Sequence, residues 1–198
     1  MGALETLKLT GNENNLPIIK VGLSSSSILN LNIDSFIDLN QAICNSLRIE
    51  YNDVYFSELI KRIKRLILPL LNKNVTFKIK KDILLPTKFV YDTEKLYRII
   101  VRLLLNSIKH TPFGEVTLEI CLRTNNDIQF IISDAGIGMN LDTITTIQKS
   151  TLNLLSNQSN IENISLAGLG LPTIQILLQK LGSKLMIDSQ LGKGTTCM

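Results

Sequence analysis

Apolar positions recur with two periods along this chain, and the places where the period changes mark the expected elements. From Asp34 to Glu50, Phe36, Ile37, Ile43 and Leu47 form a helical stripe, broken at Asn40 and Arg48, with Asp34 as a candidate N-cap. A second helix is expected from about Ser57 to Leu71. Its Leu59, Ile60, Ile63, Leu66, Ile67 and Leu70 share one face, opposite Lys61, Arg62, Lys64 and Arg65. Val75 to Ile79 alternates as a half-buried strand, and Lys88 to Tyr91 reads as another after Pro86. The longest helix is expected from Asp92 to His110. Leu96, Ile100, Leu103, Leu104, Ser107 and Ile108 make its broad apolar face, and Arg102, Asn106 and Lys109 follow an adjoining polar line. Thr111-Pro112-Phe113-Gly114 stops it, and Glu115 to Leu122 and Asp127 to Ser133 then read as a hairpin joined through Asn125-Asn126.

Leu141 to about Ile147 reads as a short helix, and the polar stretch from Gln148 to Ser165 as a long loop of the kind that forms lids. Gly168-Leu169-Gly170-Leu171 opens a helix through Leu181, with Pro172 in its first turn and Gly182 at its end. Lys184 to Ser189 and Thr195 to Met198 read as two last strands. At the other end, Thr10 to Asn32 is rich in Asn, Ser and Gly, includes Ser24-Ser25-Ser26-Ser27, and holds neither period. It reads as a tether.

Composition narrows the class. A chain of 198 residues with 44% hydrophobic residues suits one compact domain with an added helical segment. The net charge of +4 comes from scattered lysines and arginines, and with only 5% aromatic residues a nucleic-acid platform is not expected. Cys44, Cys121 and Cys197 are far apart and odd in number, which suggests neither a disulfide framework nor a metal cluster and fits a reducing compartment. No apolar run is long enough to span a bilayer, and Met1 to Thr10 lacks a secretory layout, so the chain as given reads as soluble.

The candidate chemistry sits where a strand stops abruptly, at Asp134-Ala135-Gly136-Ile137-Gly138. A carboxylate at a strand end, followed by two glycines that let the backbone approach a flat ligand, suits a ring bearing an amine, with adenine the obvious candidate. A plain tight loop has the same composition. Glycines 168 and 170 before a helix make a candidate phosphate cradle, or plain turn glycines. Asn106 offers an amide oxygen suited to Mg²⁺, and Lys109 a compact positive charge, or both belong to a solvated helix end.

Taken in order, Asn106-Ser107-Ile108-Lys109, Asp134-Ala135-Gly136-Ile137-Gly138 and Gly168-Leu169-Gly170-Leu171 resemble the N box and two glycine boxes of sensor histidine kinases. Ser189-Gln190-Leu191-Gly192-Lys193-Gly194-Thr195-Thr196 is similar to the same family's last hairpin, so the resemblance covers roughly Phe56 to Met198. Asp34 to Glu50, leading into Tyr51-Asn52-Asp53, looks like the tail of the second helix of the preceding dimerising domain. The organisation expected is therefore an irregular segment over 1–33, the end of a dimerisation-type helix with a linker over 34–55, and an ATP-binding catalytic domain over 56–198. The resemblance implies the Bergerat fold, a two-layer α/β sandwich with a mixed β-sheet packed under three helices and ATP between sheet and lid. It further implies that Asp134 binds the adenine amine, Asn106 the Mg²⁺ and Lys109 the phosphates. His110, Gly136, Gly138, Gly168, Leu169, Gly170, Leu171 and Thr195 complete the implied nucleotide site. A dimerisation and phosphoacceptor domain, a response regulator and a second copy joined through the N-terminal helix are the implied partners. The implied location is the cytoplasm, alone or as part of a larger membrane sensor.

Departures qualify this. Where the family usually has a first Asn, or a glutamate base in ATP-hydrolysing relatives, the chain has Arg102, which cannot act as a base and is either a solvated surface residue or a direct phosphate ligand. His110, the only histidine, stands where an aromatic commonly stacks on adenine. The lid lacks the family's phenylalanine motif and offers only Lys149 as a cation, Leu166 replaces an expected glycine, and no His-Glu or His-Asp phosphoacceptor box occurs. The expected activity is transfer of the ATP γ-phosphoryl group to a histidine outside this sequence. The alternatives are a degenerate pseudokinase-like module that binds a signalling partner without turnover and a protein-serine kinase or anti-sigma relative.

Overall fold

The computed structural model describes residues 16–156 and 170–198. Helix α1 (Leu16–Ile43) is followed by β1 (Asn52–Tyr55), α2 (Phe56–Ile67), a 3₁₀ turn (Leu68–Leu70), β2 (Val75–Lys81), β3 (Lys88–Tyr91) and α3 (Thr93–His110). Then come β4 (Gly114–Leu122), β5 (Ile128–Asp134), α4 (Leu141–Ser156), α5 (Gly170–Lys180), β6 (Ile187–Gln190) and β7 (Gly194–Cys197). Five strands make one mixed sheet in the order β2-β4-β5-β7-β6, with only β2 and β4 parallel. Along β4, Val116, Leu118 and Ile120 are buried while Glu115, Thr117 and Glu119 between them are half-buried, the period of two that turns one face of a sheet to a core. Helix α3 lies on β4 and β5, and α2 and α5 pack against α3. Ile100, Leu104, Leu118, Ile132, Ile174 and Leu177 are all essentially inaccessible, so the core is sandwiched between these helices and the sheet. This is the two-layer α/β arrangement expected from the resemblance.

Asp92 caps α3. Its Oδ1 accepts from the Lys95 N–H at 3.0 Å, and its Oδ2 accepts from the Glu50 N–H at 3.0 Å and from Lys95 Nζ at 2.9 Å. A helix N-terminus is thereby satisfied and tied to the chain that precedes β1. Glycine ends α5, where Gly182 takes φ +72°.

The N-terminal third differs from expectation. Residues 16–32 are helical, not a tether, and Asp34 lies inside α1 and is no N-cap. Side chains that would compete with the helix instead bond back along it: Ser27 Oγ donates to the Leu23 carbonyl, Ser35 Oγ to that of Leu31 and Asn40 Nδ2 to that of Phe36. Tertiary burial does the rest. Leu31, Ser35, Leu39, Ala42 and Ile43 are buried, and α1 packs on α5 and the 3₁₀ turn. The helix stops at Ile43, short of Glu50, and Asn45 turns left-handed at φ 51°. Tyr51-Asn52-Asp53 is not the tail of a helix, because β1 begins at Asn52 and pairs antiparallel with β3 from Asn52↔Tyr91 to Tyr55↔Lys88.

Helix α4 also exceeds its expected end at Ile147, absorbing 148–156 of the expected loop, and Asn140 Oδ1 caps it through the Thr143 N–H at 2.8 Å. The rest of that loop, with Gly168 and Leu169, lies outside the described residues. Strand β6 starts at Ile187, three residues later than expected. Among the described residues no helix is long and apolar enough to cross a membrane.

Candidate functional site

Three pieces of chain meet at the end of β5. Asp134 is its last residue, and its Oδ1 accepts the main-chain N–H of Gly136 at 3.0 Å and of Thr195 at 3.2 Å. Two donors on one oxygen fix the carboxylate, and among the described residues Oδ2 takes no hydrogen bond. The turn that follows is pressed onto the last turn of α3: Ile137 N–H donates to the His110 carbonyl at 3.1 Å, and a Cβ on Gly136 would stand 2.5 Å from that oxygen. Only glycine fits there.

The β6–β7 hairpin closes the other side. Gly194, at φ +100°, brings its Cα so close to β5 that a Cβ would be 1.9 Å from the Asp134 carbonyl. A Cβ on Gly138, at φ +64°, would be 2.0 Å from the Gln190 carbonyl. The Met139 N–H donates to Ser189 Oγ at 2.9 Å and the Gly192 N–H to the Ile137 carbonyl at 2.7 Å. Ser189 Oγ also lies 2.8 Å from Thr195 Oγ1, and Ser133 Oγ 3.0 Å from Thr196 Oγ1. These hydroxyl pairs contribute packing partners that a reading for catalytic residues passes over, although their spacing on two strands ending in Gly-Lys-Gly was visible. Buried Cys197 follows, its thiol pushed up to about 12 by desolvation and then by the Asp134 charge, so it stays protonated and inert.

One turn back on α3, half-buried Asn106 faces the first turn of α5. A Cβ on Gly170 would be 3.5 Å from its Nδ2 and 3.9 Å from its Oδ1. Gly170 opens α5 and half-buried Leu171 follows, so Asn106 borders a helix N-terminus. Lys109 and His110 are exposed at the end of α3. The last turns of α3 therefore link two groups: the His110 carbonyl with Gly136 and, beyond it, Asp134, Gly138 and Thr195, and Asn106 with Gly170.

Arg102 belongs to neither. It is half-buried, not a solvated surface residue; burial lowers its pKa, Asp38 on α1 acts against that and Arg98 with it. Its charge is thus engaged at the junction of α1 and α3. Arg98 Nη2 lies 2.8 Å from Asp38 Oδ2 and Arg98 Nη1 3.8 Å from Asp34 Oδ2. The close pair is misaligned for hydrogen bonding, which leaves Asp38 Oδ2 and Arg98 Nε without hydrogen-bond partners. Desolvation consequently raises the Asp38 pKa despite the opposing field of Arg98. The repeat of four between Asp34 and Asp38, matched by that between Arg98 and Arg102, was the sequence signal for this contact.

Residues 91–198 match the family described as histidine kinase-, DNA gyrase B-, and HSP90-like ATPase. The chain is 35% identical over 113 residues to the adaptive-response sensory kinase SasA of Synechococcus elongatus, covering 57% of this chain and 28% of that protein. It is 25% identical over 203 residues to the autoinducer 2 sensor kinase/phosphatase LuxQ of Vibrio vulnificus, covering 99% of this chain and 24% of that protein. The chain thus spans about a quarter of the length of these curated relatives. Full-length ShkA in complex with AMPPNP has a similar fold, with a TM-score of 0.68 and 18% identity over 99% of this chain and 40% of that one.

Proposed function

The chain belongs to the histidine kinase-, DNA gyrase B- and HSP90-like ATPase family, as an ATP-binding domain of the sensor histidine kinase kind, and from that premise we propose that it donates the ATP γ-phosphoryl group to a histidine outside this sequence. The observation that supports this best is the pinned carboxylate of Asp134. With Oδ1 held by two N–H groups, Oδ2 is left to accept the adenine amine, while glycines 136 and 138 keep the backbone close to the ring plane. Gly170 and Leu171, with Gly168 and Leu169 before them, present the N–H groups of α5 to the phosphates, and Lys109 adds a mobile charge one turn beyond Asn106. Thr195 holds Asp134, and the exposed His110 ring flanks the adenine end.

Asn106 fits a metal that arrives with the nucleotide. Its amide oxygen is a hard donor beside the α5 N-terminus, and no group of three or more His, Cys, Asp or Glu among the described residues could hold an ion without the phosphates. Mg²⁺ bound there would neutralise phosphate charge. The acceptor imidazole nitrogen forms the new P–N bond as the bond from phosphorus to the ADP oxygen breaks, and this chain contributes position and charge, not a covalent intermediate.

The catalytic unit proposed covers 56–198, with β1 paired to it, and α1 supplies the end of a dimerisation helix. Leu29, Ile33, Phe36 and Ile37 are 60%, 51%, 40% and 48% exposed at helical spacing on the face of α1 turned from α5. Such a stripe suits pairing with a second copy or with the dimerisation and phosphoacceptor domain; a response regulator would take the phosphoryl group from that domain, and no nucleic acid takes part. A cytoplasmic location follows from the same reading. Calorimetry with ATP, then incubation with a separately supplied dimerisation domain, tests the proposal. Acid-labile phosphate is expected on the supplied domain and none on this chain; failure to bind ATP overturns the reading, and binding without transfer reduces it to a non-catalytic module.

A further inference from the structure

Strand β7 separates β5 from β6, yet it ends at Cys197 while the chain on either side of it runs on. It pairs with β5 only at Ile132, Ser133 and Asp134, so Ile128–Ile131 have a neighbour in β4 alone. Across the gap run Lys184, Leu185 and Met186, leading into β6. Between these walls lies a cavity of about 660 Å³, floored by Ile99 and Leu103 of α3, with Met198 at its mouth. Its walls stand two strand spacings apart, roughly 9.5 Å, the room one further strand needs.

The hydrogen-bond pattern says which backbone groups face this slot. Met186 and Met198 exchange both bonds at 2.9 Å, so alternate residues of β7 turn toward β6 and those between, Cys197 and Thr195, toward Ile132 and Asp134. On the opposite edge of β5, Asp127 and Ala135 bond to β4, to Arg123 and Glu115 respectively, which puts odd positions on β4. The main-chain N–H and C=O of Phe130 and Ile128 therefore open into the slot unpaired. Side chains add a second requirement. Ile132 and Cys197 oppose one another and are 1% and 6% exposed, so residues placed opposite Phe130 and Ile128 would point to the same apolar floor, and those between would point away.

We infer that this slot is a strand-addition site for an extended segment of a partner polypeptide, antiparallel to β5, with large apolar side chains at alternate positions. Its paired length is about four residues, that of the stretch Ile128–Ile131. A compact apolar molecule could fill the floor but would leave the ladder groups of Phe130 and Ile128 desolvated and unbonded, whereas an extended chain satisfies both at once. The site lies apart from Asp134 and Asn106 and is independent of the nucleotide.

The test titrates the peptide Lys-Thr-Val-Thr-Val-Thr-Lys into the isotopically labelled chain and follows amide hydrogen exchange. Exchange at Ile128 and Phe130 should slow by about tenfold or more, while Gln129 and Ile131, already bonded to β4, and the affinity for ATP stay as they were. The same peptide N-methylated at both valines should have no effect. A variant with Thr-Val-Thr-Val appended after Met198 should fill its own slot, melt at a higher temperature and ignore the peptide. Unchanged exchange at Ile128 and Phe130 under saturating peptide, equal binding of the N-methylated form, or undiminished peptide binding by the appended variant would each overturn the inference.

Discussion

Thr195 faces Asp134 across the β5–β7 ladder and gives its main-chain N–H to the carboxylate at 3.2 Å, so the hairpin that ends the sheet also orients the group proposed to meet adenine. Nucleotide affinity and the integrity of that hairpin are therefore coupled. Asp134→Asn keeps the shape but removes the charge, and should weaken ATP binding by about 1.5–3 kcal/mol, the range for a hydrogen bond to a charged group. Isothermal titration of both proteins checks it, and equal affinities would refute the assignment.

Two glycines in one hairpin should respond differently to the same change. A Cβ at Gly192, φ +77°, meets nothing within 4 Å, so Gly192→Ala should cost only the left-handed backbone penalty of about 1–2 kcal/mol. Gly194→Ala adds a 1.9 Å collision with the Asp134 carbonyl and should both unfold more readily and lose ATP affinity. Denaturant melts with and without nucleotide separate the two.

Arg102 is engaged with α1, so Arg102→Asn should leave the Mg²⁺ dependence of ATP binding as it is in the wild type. The same junction predicts that Asp38→Asn, which strands the buried Arg98, destabilises the protein by about 1–3 kcal/mol. Replacing both, as Asp38→Leu with Arg98→Met, should recover much of that loss, because a buried pair is dispensable where half of it is not. Chemical denaturation of the three variants is the measurement.

Asp38 and Asp92 should pull the acid limb of stability in opposite directions. Burial raises the Asp92 pKa, but the hydrogen bonds from Lys95 and Glu50 outweigh it and leave it lowered from 3.8, so its contribution is present above that value and is lost as pH falls through the folded value. Asp38 is raised by burial, so its contribution is full below 3.8 and declines as pH rises through the folded value. Asp92→Ala, which removes a cap and strands Lys95, should cost about 2–4 kcal/mol near neutrality and less in acid. Stability measured from pH 2 to 7 should show Asp38→Asn with the reverse trend.

The sheet and α3 were legible because their periods are clean: alternate burial along β4 and a broad apolar face from Leu96 to Ile108 need no tertiary information. The turn at Asp134 was legible because a carboxylate between a strand and two glycines is chemically unusual. Helix α1 was not, since Ser25, Ser26, Ser27, Asn30 and Asn32 argue locally against a helix that α5 and the 3₁₀ turn stabilise from outside. Arg102 was misplaced for the same reason, its neighbour Asp38 being 64 positions away on an element not recognised as continuous.

The 61 positions between Asp134 and the amide that orients it also set an order of events during synthesis. At about 5–20 residues per second a ribosome needs roughly 3–12 s to make that stretch, and through this interval β5 carries an unheld carboxylate and an open flank. Nascent chains arrested before Gly194 should therefore have no measurable hold on ATP, and those arrested after Cys197 has left the exit tunnel should have it in full, which would make nucleotide capture a marker for the moment the sheet closes.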